Sequence, residues 1–248
     1  MQRAEPLERL RSLGFGERDA EILAAHFLDA EQRAKTGHGL ARIDWLGEQE
    51  LDPGARPKRL LADPGFERWD GDGALGYLTL AEICDAQIAS PPEHARLVVA
   101  SNCFPTGVLG YWTRKLADAG LAAWLTATSP ARLGHPDGGP PLTGTNPLSI
   151  AIPSSEGQPI VADVSMGEVT YGDVIAGLAS EGDLVPFGGE QAHKAFALAL
   201  GLQLLVDSLA GPEHGAVLLV ARPEADPVPA LRRLAVGIRL PGDGPTEA

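Results

Sequence analysis

Residues 138–147, with the sequence GGPPLTGTNP, constrain the fold more than any other part of the chain. Their glycines let backbone amides approach a ligand closely, and Pro147 pushes Asn146 out of the helical region. The apolar run 148–152 that follows predicts a buried strand. A stiff, donor-rich loop leading into such a strand suits a cofactor or an anionic substrate. A turn that only introduces a core strand is the alternative.

Short apolar runs elsewhere predict a sheet that begins near residue 96. The predicted strands are 96–100, 121–125, 148–152, 159–164 and 216–221. Apolar residues at helical spacing predict helices at 7–13, 20–28, 75–88, 110–119, 166–179 and 192–209, the last as a central core helix. We therefore expect an α/β fold.

The order of these elements predicts three regions along the chain. An N-terminal helical region covers residues 1–73, and an α/β domain covers residues 74–222. Residues 223–248 form a tail that we expect to be loosely attached. Within the first region, residues 47–73 are rich in Pro, Gly, Asp and Arg, which predicts a crossing segment or a linker.

Charge and cysteine content exclude several classes of partner. The formal net charge of −13 provides no basic field to recruit nucleic acid or an anionic membrane. The two cysteines form neither a disulfide framework nor a metal-binding cluster. The N-terminus does not resemble a signal peptide, and no apolar run is expected to approach a membrane span. We expect a cytoplasmic protein.

Two sets of cationic side chains are candidates for anion binding. If a helix begins near Gly37, His38 and Arg42 lie one turn apart on the same face. Arg presents a two-pronged donor that matches a carboxylate, so a carboxylate clamp is one interpretation and a solvated surface pair is the other. Lys194 begins the predicted helix 192–209, where the helix dipole disfavours a cation. It either serves a phosphate or carboxylate or is an ordinary surface lysine.

Several motifs, taken in order, resemble the type-2 malate/L-lactate dehydrogenase family, which includes ureidoglycolate dehydrogenase and the piperideine/pyrroline-2-carboxylate reductases. Gly37-His38-Gly39-x-x-Arg42 is similar to the Ser-His-Gly-x-x-Arg motif of the family. The other matching stretches are 70–76, 107–112, 138–147, Asp163, 186–189 and 193–195. Each motif alone is weak, and their order and spacing make the resemblance specific.

The resemblance implies a non-Rossmann α/β fold with a helical substrate side, a nucleotide-binding mixed sheet and a homodimeric assembly. It implies hydride transfer between NADPH or NADH and a 2-keto or 2-imino carboxylic acid. His38 and Arg42 would contact the substrate carboxylate. The residues implied to line the cofactor are Thr145, Asn146, Asp163, Ser165, His193, Lys194 and Ala195.

The chain also departs from the family pattern. Where the family's Asn-Ser-x-His-Phe-Gly supplies the catalytic histidine, this chain has Pro105, whose side chain cannot transfer a proton. A longer family segment is missing between residues 177 and 186, and the C-terminal helical portion is shortened. The latter leaves residues 195–209 poorly covered, which favours a homodimer. Two functions remain open: a divergent reductase of a (cyclic) 2-imino or 2-keto acid, or a non-redox enzyme or binding protein on the same scaffold.

Overall fold

Seven strands form one mixed sheet in the computed structural model, which describes residues 4–244. The strands are β1 (Lys58–Asp63), β2 (Phe66–Asp70), β3 (Ala95–Ser101), β4 (Ala122–Ala127), β5 (Leu148–Ile152), β6 (Ile160–Val164) and β7 (Ala216–Ala221). Their order in the sheet is β1-β2-β3-β7-β4-β5-β6. Only β2 and β3 are parallel neighbours; the other neighbouring pairs are antiparallel. This topology confirms the α/β class and differs from the all-parallel sheet of a doubly wound fold.

Helices cover both faces of the sheet. They are α1 (Ala4–Ser12), α2 (Glu17–Gln32), α3 (Ala41–Gly47), α4 (Gly76–Ala89), α5 (Leu109–Asp118), α6 (Tyr171–Ile175), α7 (Ala192–Ala210) and α8 (Val228–Leu234). Helices α1 to α5 contribute to the main hydrophobic core, in which Val98 of β3 is buried. The next residue of β3, Val99, packs with Val206 of α7 on the opposite face. This alternation follows from the two-residue period of a strand.

The apolar-run predictions for residues 148–152 and 216–221 are confirmed as β5 and β7. Other strands and most helices lie within a few residues of the predicted bounds. Burial on one or both faces makes such elements nearly continuous in apolar residues, and the sequence therefore reveals them.

No strand is predicted in the crossing segment or linker at residues 47–73, but β1 and β2 form a hairpin there. The sheet therefore begins at Lys58 and not near residue 96. Strand β1 is exposed along its whole length, and β2 buries the carboxylate of Glu67. Glu67 lies 3.1 Å from Arg96 and accepts a hydrogen bond from Trp69 Nε1 at 2.9 Å. Because β1 is exposed and β2 contains the buried Glu67, neither strand shows the apolar pattern that would have predicted it. The division of the chain into domains at residue 73 stays a prediction.

Two predicted helices are shorter or interrupted. Of residues 166–179, only Tyr171–Ile175 is an α-helix, because Gly167 bridges to Pro186 and Thr170 caps the helix N-terminus. The expected helix through His38 and Arg42 is also wrong. Thr36–His38 is a 3-10 turn, and α3 begins only after Gly39, whose backbone leaves the helical region.

The C-terminal tail is attached more firmly than expected, as far as the structure describes it. The Val161 amide at the sheet edge donates to the Pro241 carbonyl oxygen at 3.0 Å. Asp226 accepts bonds from the backbone and the hydroxyl of Ser155, both at 2.7 Å. The earlier expectation rested on proline content, which does not report such contacts.

Helix α7 is not the central core helix that its composition predicts. It packs on the sheet through Val206 and Ala210, whereas Leu198, Leu204 and Leu205 are exposed. By length and composition, residues Gly189–Ala210 also meet the criteria for a membrane span, with a mean hydropathy of 1.2. The expectation that no apolar run approaches a span is therefore wrong, although a helix packed on a sheet can pass the same test.

Candidate active site

The strands β3, β4 and β6 run in the same direction, because β7 and β5 lie between them in the sheet and are antiparallel to their neighbours. The carboxyl ends of these three strands therefore lie at the same end of the sheet. The segments that follow these strands line a cavity of about 840 Å³. The 3-10 turn Thr36–His38, α3 and the first turn of α6 close the other side. This volume lies within the range of about 300–1,000 Å³ that is usual for small-molecule sites.

Arg42 is positioned in this cavity by close backbone packing. A Cβ atom on Gly172 would lie 2.3 Å from the Gly37 carbonyl oxygen and 2.9 Å from an Arg42 terminal nitrogen, so the approach requires glycine. Arg42 Nε donates to the Gly37 carbonyl oxygen at 3.2 Å. The guanidinium is buried, stacks at 5.2 Å from the Trp45 ring centroid, and forms no ion pair with any described residue. A buried, unpaired cation is costly unless an anion joins it.

His38 lies beside this cation and is held neutral. Burial, followed by the charge of Arg42, lowers the pKa of His38 well below its ordinary value. Its Nδ1 atom is buried and has no hydrogen-bond partner in the described part of the chain. His38 can therefore offer a hydrogen bond to a ligand but does not add a second positive charge near pH 7.

The loop after β3 brings Pro105 to the cavity wall, between Phe104 and Thr106. Gly107 has φ +68°, and a Cβ there would lie 2.3 Å from Cε1 of Tyr77. Tyr77 is fully buried, and its hydroxyl has no partner among the described residues. His26 supports this loop by accepting a bond from the Val108 amide at 3.0 Å, and burial lowers the pKa of His26 to about 3.

Lys35 and Asp163, which also line the cavity, form an ion pair with 2.5 Å between Nζ and Oδ2. Asp163 is the penultimate residue of β6. It packs against Gly110 of α5, where an added Cβ would lie 3.0 Å from the Asp163 Cβ. Both charges line the cavity, and they largely neutralise each other.

Five of the nine predicted site residues share this cavity: His38, Arg42, Thr145, Asp163 and Ser165. Asn146, His193, Lys194 and Ala195 are not among the lining residues, so the expectation that Asn146 and Lys194 share the cleft of His38 and Arg42 is wrong. Their contribution to a cofactor site stays a prediction.

The physical reasons for these four placements differ. The Asn146 side chain points beneath α7, where its amide donates to Gln203 Oε1 at 2.9 Å and to the Ala199 carbonyl oxygen at 3.2 Å. His193 and Lys194 are exposed in the first turn of α7, and Ala195 is buried beneath it.

Sequence reasoning missed several lining residues that have functional chemistry, among them Lys35, Tyr77, Arg132 and Tyr171. Lys35 could have been found from its position just before the Thr36-Gly37-His38 turn. Arg132 lies in an irregular loop, and no periodicity marks it. Nothing in the sequence places its guanidinium on the ring of Tyr171.

Comparisons with known proteins agree with the resemblance described above. The family model for malate/L-lactate dehydrogenase matches residues 6–177. The chain is 28% identical to (2R)-3-sulfolactate dehydrogenase (NADP(+)) of Chromohalobacter salexigens, over 83% of this chain and 69% of that protein. It is 24% identical to Delta(1)-pyrroline-2-carboxylate reductase of Ancylobacter novellus, over 95% of this chain and 86% of that protein.

Solved structures show the same fold. The delta1-piperideine-2-carboxylate reductase of Pseudomonas syringae superposes with a TM-score of 0.81 at 23% identity, over 96% of this chain and 89% of that one. Malate dehydrogenase of Pyrococcus horikoshii superposes with a TM-score of 0.79 at 19% identity, over 100% of this chain and 82% of that one. With the matched residues extending from α1 through α6, this chain belongs to the malate/L-lactate dehydrogenase family.

Proposed function

We propose that this protein is an NAD(P)H-dependent oxidoreductase that reduces a cyclic 2-imino or a 2-keto carboxylic acid. The observation that carries the proposal is the buried, unpaired guanidinium of Arg42 in the cavity wall. A carboxylate would neutralise this buried charge, and a guanidinium can bind it through two parallel hydrogen bonds. Relatives named as a sulfolactate dehydrogenase and a pyrroline-2-carboxylate reductase support the redox class and the small carboxylate substrate.

Three other lining residues, Thr145, Asp163 and Ser165, have side chains that suit a nicotinamide cofactor. Thr145 and Ser165 supply hydroxyls, and Asp163 supplies a carboxylate that can accept hydrogen bonds. These residues would hold the cofactor in the cavity that Arg42 also lines. When bound, the cofactor supplies the hydride.

The chain's own residues then favour an imine over a ketone. Arg42 orients the substrate carboxylate, and neutral His38 offers a hydrogen bond beside it. A ketone carbon that receives hydride leaves an alkoxide that must be protonated. Pro105 has no proton to give. An iminium nitrogen already carries its proton, so its reduction needs no donor at this position.

The redox proposal is tested by titrating the purified protein with NADPH and NADH and following nicotinamide fluorescence. Turnover is then measured with Δ1-pyrroline-2-carboxylate and with pyruvate. We expect binding of at least one cofactor and faster reduction of the cyclic imine. If neither cofactor binds and neither acid is reduced, the alternative holds, namely a non-redox enzyme or a binding protein on this scaffold.

We also propose a homodimer, supported by the exposed apolar face of α7. Leu198, Leu204 and Leu205 are 44%, 60% and 40% exposed, and they lie at helical spacing on one helix. Apolar surface of this kind marks interfaces more often than solvated surface.

Light scattering at micromolar concentration should give the mass of a dimer. Leu204→Glu should raise the dimer dissociation constant about 100-fold or more, because an uncompensated buried charge costs several kcal/mol. Leu60→Glu is the matched control, since Leu60 is a 56% exposed leucine of the edge strand β1 and not of α7. A monomer mass for the wild-type protein would contradict the proposal.

A further inference from the structure

A second guanidinium, that of Arg132, lies in the cavity and has no established role. Its Cζ atom is 3.4 Å from the centroid of the Tyr171 ring, which places the guanidinium over the aromatic face. The backbone is equally constrained, because the Arg132 amide donates to the Thr143 carbonyl oxygen at 2.9 Å. A guanidinium stacked in this way is preorganised for hydrogen bonding in its own plane.

The charge of Arg132 is not neutralised within the part of the chain that the structure describes. Arg132 appears in no ion pair and donates no side-chain hydrogen bond there, although the side chain is half-buried. Lys35, in contrast, is paired with Asp163 in the same cavity. The cavity therefore contains two cations without a partner anion, Arg42 and Arg132, in a protein whose net charge is −13.

Consecutive residues of α6 contact the two arginines. Arg132 stacks on Tyr171, while a Cβ on the next residue, Gly172, would lie 2.9 Å from a terminal nitrogen of Arg42. Both arginines line the same cavity. A ligand whose carboxylate binds Arg42 can therefore present a further anionic group to Arg132.

We propose that Arg132, stacked on Tyr171, is a specificity-determining residue that binds a second anionic group of the ligands in this cavity. This inference rests on the proposed function. The group is an oxyanion able to accept two N–H bonds. It belongs either to the substrate, as a second acid group distant from the 2-carboxylate, or to the cofactor, as the ribose 2′-phosphate that distinguishes NADPH from NADH.

The test uses two pairs of probes that differ by one anionic group: L-malate with L-lactate, and NADPH with NADH. Dissociation constants are measured by calorimetry for the wild-type protein, Arg132→Gln, Arg132→Lys and Arg233→Ala. The wild-type protein should prefer the more anionic member of at least one pair. Arg132→Gln should raise the dissociation constant of the more anionic member about 10- to 100-fold and leave that of the other member nearly unchanged.

The variants separate charge from geometry. Arg132→Lys should recover only part of the affinity, because an ammonium cannot reproduce the stacked, two-pronged donor. Arg233→Ala should change nothing, since Arg233 is exposed on α8 and does not line the cavity. If Arg132→Gln loses affinity for L-malate but not for L-lactate, the second anionic group belongs to the substrate. If it loses affinity for NADPH but not for NADH, that group is the 2′-phosphate.

Other outcomes overturn the proposal. It fails if the wild-type protein prefers neither L-malate over L-lactate nor NADPH over NADH, or if Arg132→Gln weakens binding of both members of each pair equally. Calorimetry requires no turnover, so the two hypotheses can fail separately. Absence of nicotinamide binding and turnover refutes the redox function, whereas an unchanged preference within both pairs in Arg132→Gln refutes the subsite.

Discussion

Replacing Arg42 with alanine is expected to weaken binding of pyrrole-2-carboxylate, a stable planar analogue of a cyclic imino acid, by roughly 2–5 kcal/mol. The expected loss is large because the guanidinium is buried in the cavity wall and has no partner carboxylate in the described chain. Removing it leaves the ligand carboxylate desolvated and unpaired. The dissociation constant, measured by calorimetry, reports the effect directly.

Two control variants make the Arg42 result interpretable. Arg42→Lys keeps the charge without the planar fork and should lose an intermediate amount of affinity. Arg233→Ala removes an exposed arginine of α8 and should have no effect. Since Arg42 Nε also bonds the Gly37 carbonyl oxygen, thermal unfolding must show that each variant is folded. Unchanged affinity in folded Arg42→Ala would mean that the anion binds elsewhere.

Replacing Pro105 with histidine is expected to raise keto-acid reduction more than imino-acid reduction. Pro105 lines the cavity in the loop after β3, at the position that the motif resemblance implies for the family's catalytic histidine. General acid catalysis contributes about 10²–10⁴-fold, so the wild-type protein should be slow with pyruvate by a factor of that order. Iminium reduction gains little, because no alkoxide has to be protonated.

Phe104→His is the matched control for this prediction, since it places an imidazole one residue away in the same loop. Pro105 is tightly packed, and a Cβ on Gly76 would lie 2.8 Å from its carbonyl oxygen. Unfolding midpoints of both variants are therefore measured alongside turnover with pyruvate and Δ1-pyrroline-2-carboxylate. An equal change with both substrates in Pro105→His would show that the missing histidine does not set the substrate preference.

The sequence by itself determined the fold class and the order of most elements. Runs such as 148–152 and 216–221 are apolar because their strands lie in the interior of the sheet, so the pattern and the burial have the same cause. The motifs also located one wall of the site. His38 and Arg42 were paired by the assumption of a helix, yet they meet in the cavity through a 3-10 turn and a separate helix.

Only the tertiary structure decided which residues of a motif reach the cavity. Thr145 and Asn146 are neighbours, but Thr145 lines the cavity while Asn146 is buried under α7. Tertiary packing likewise placed Arg132 on Tyr171 and paired Arg96 with Glu67 of the edge hairpin. Side-chain direction and contacts between distant segments depend on how elements pack together, and local sequence patterns do not encode that packing.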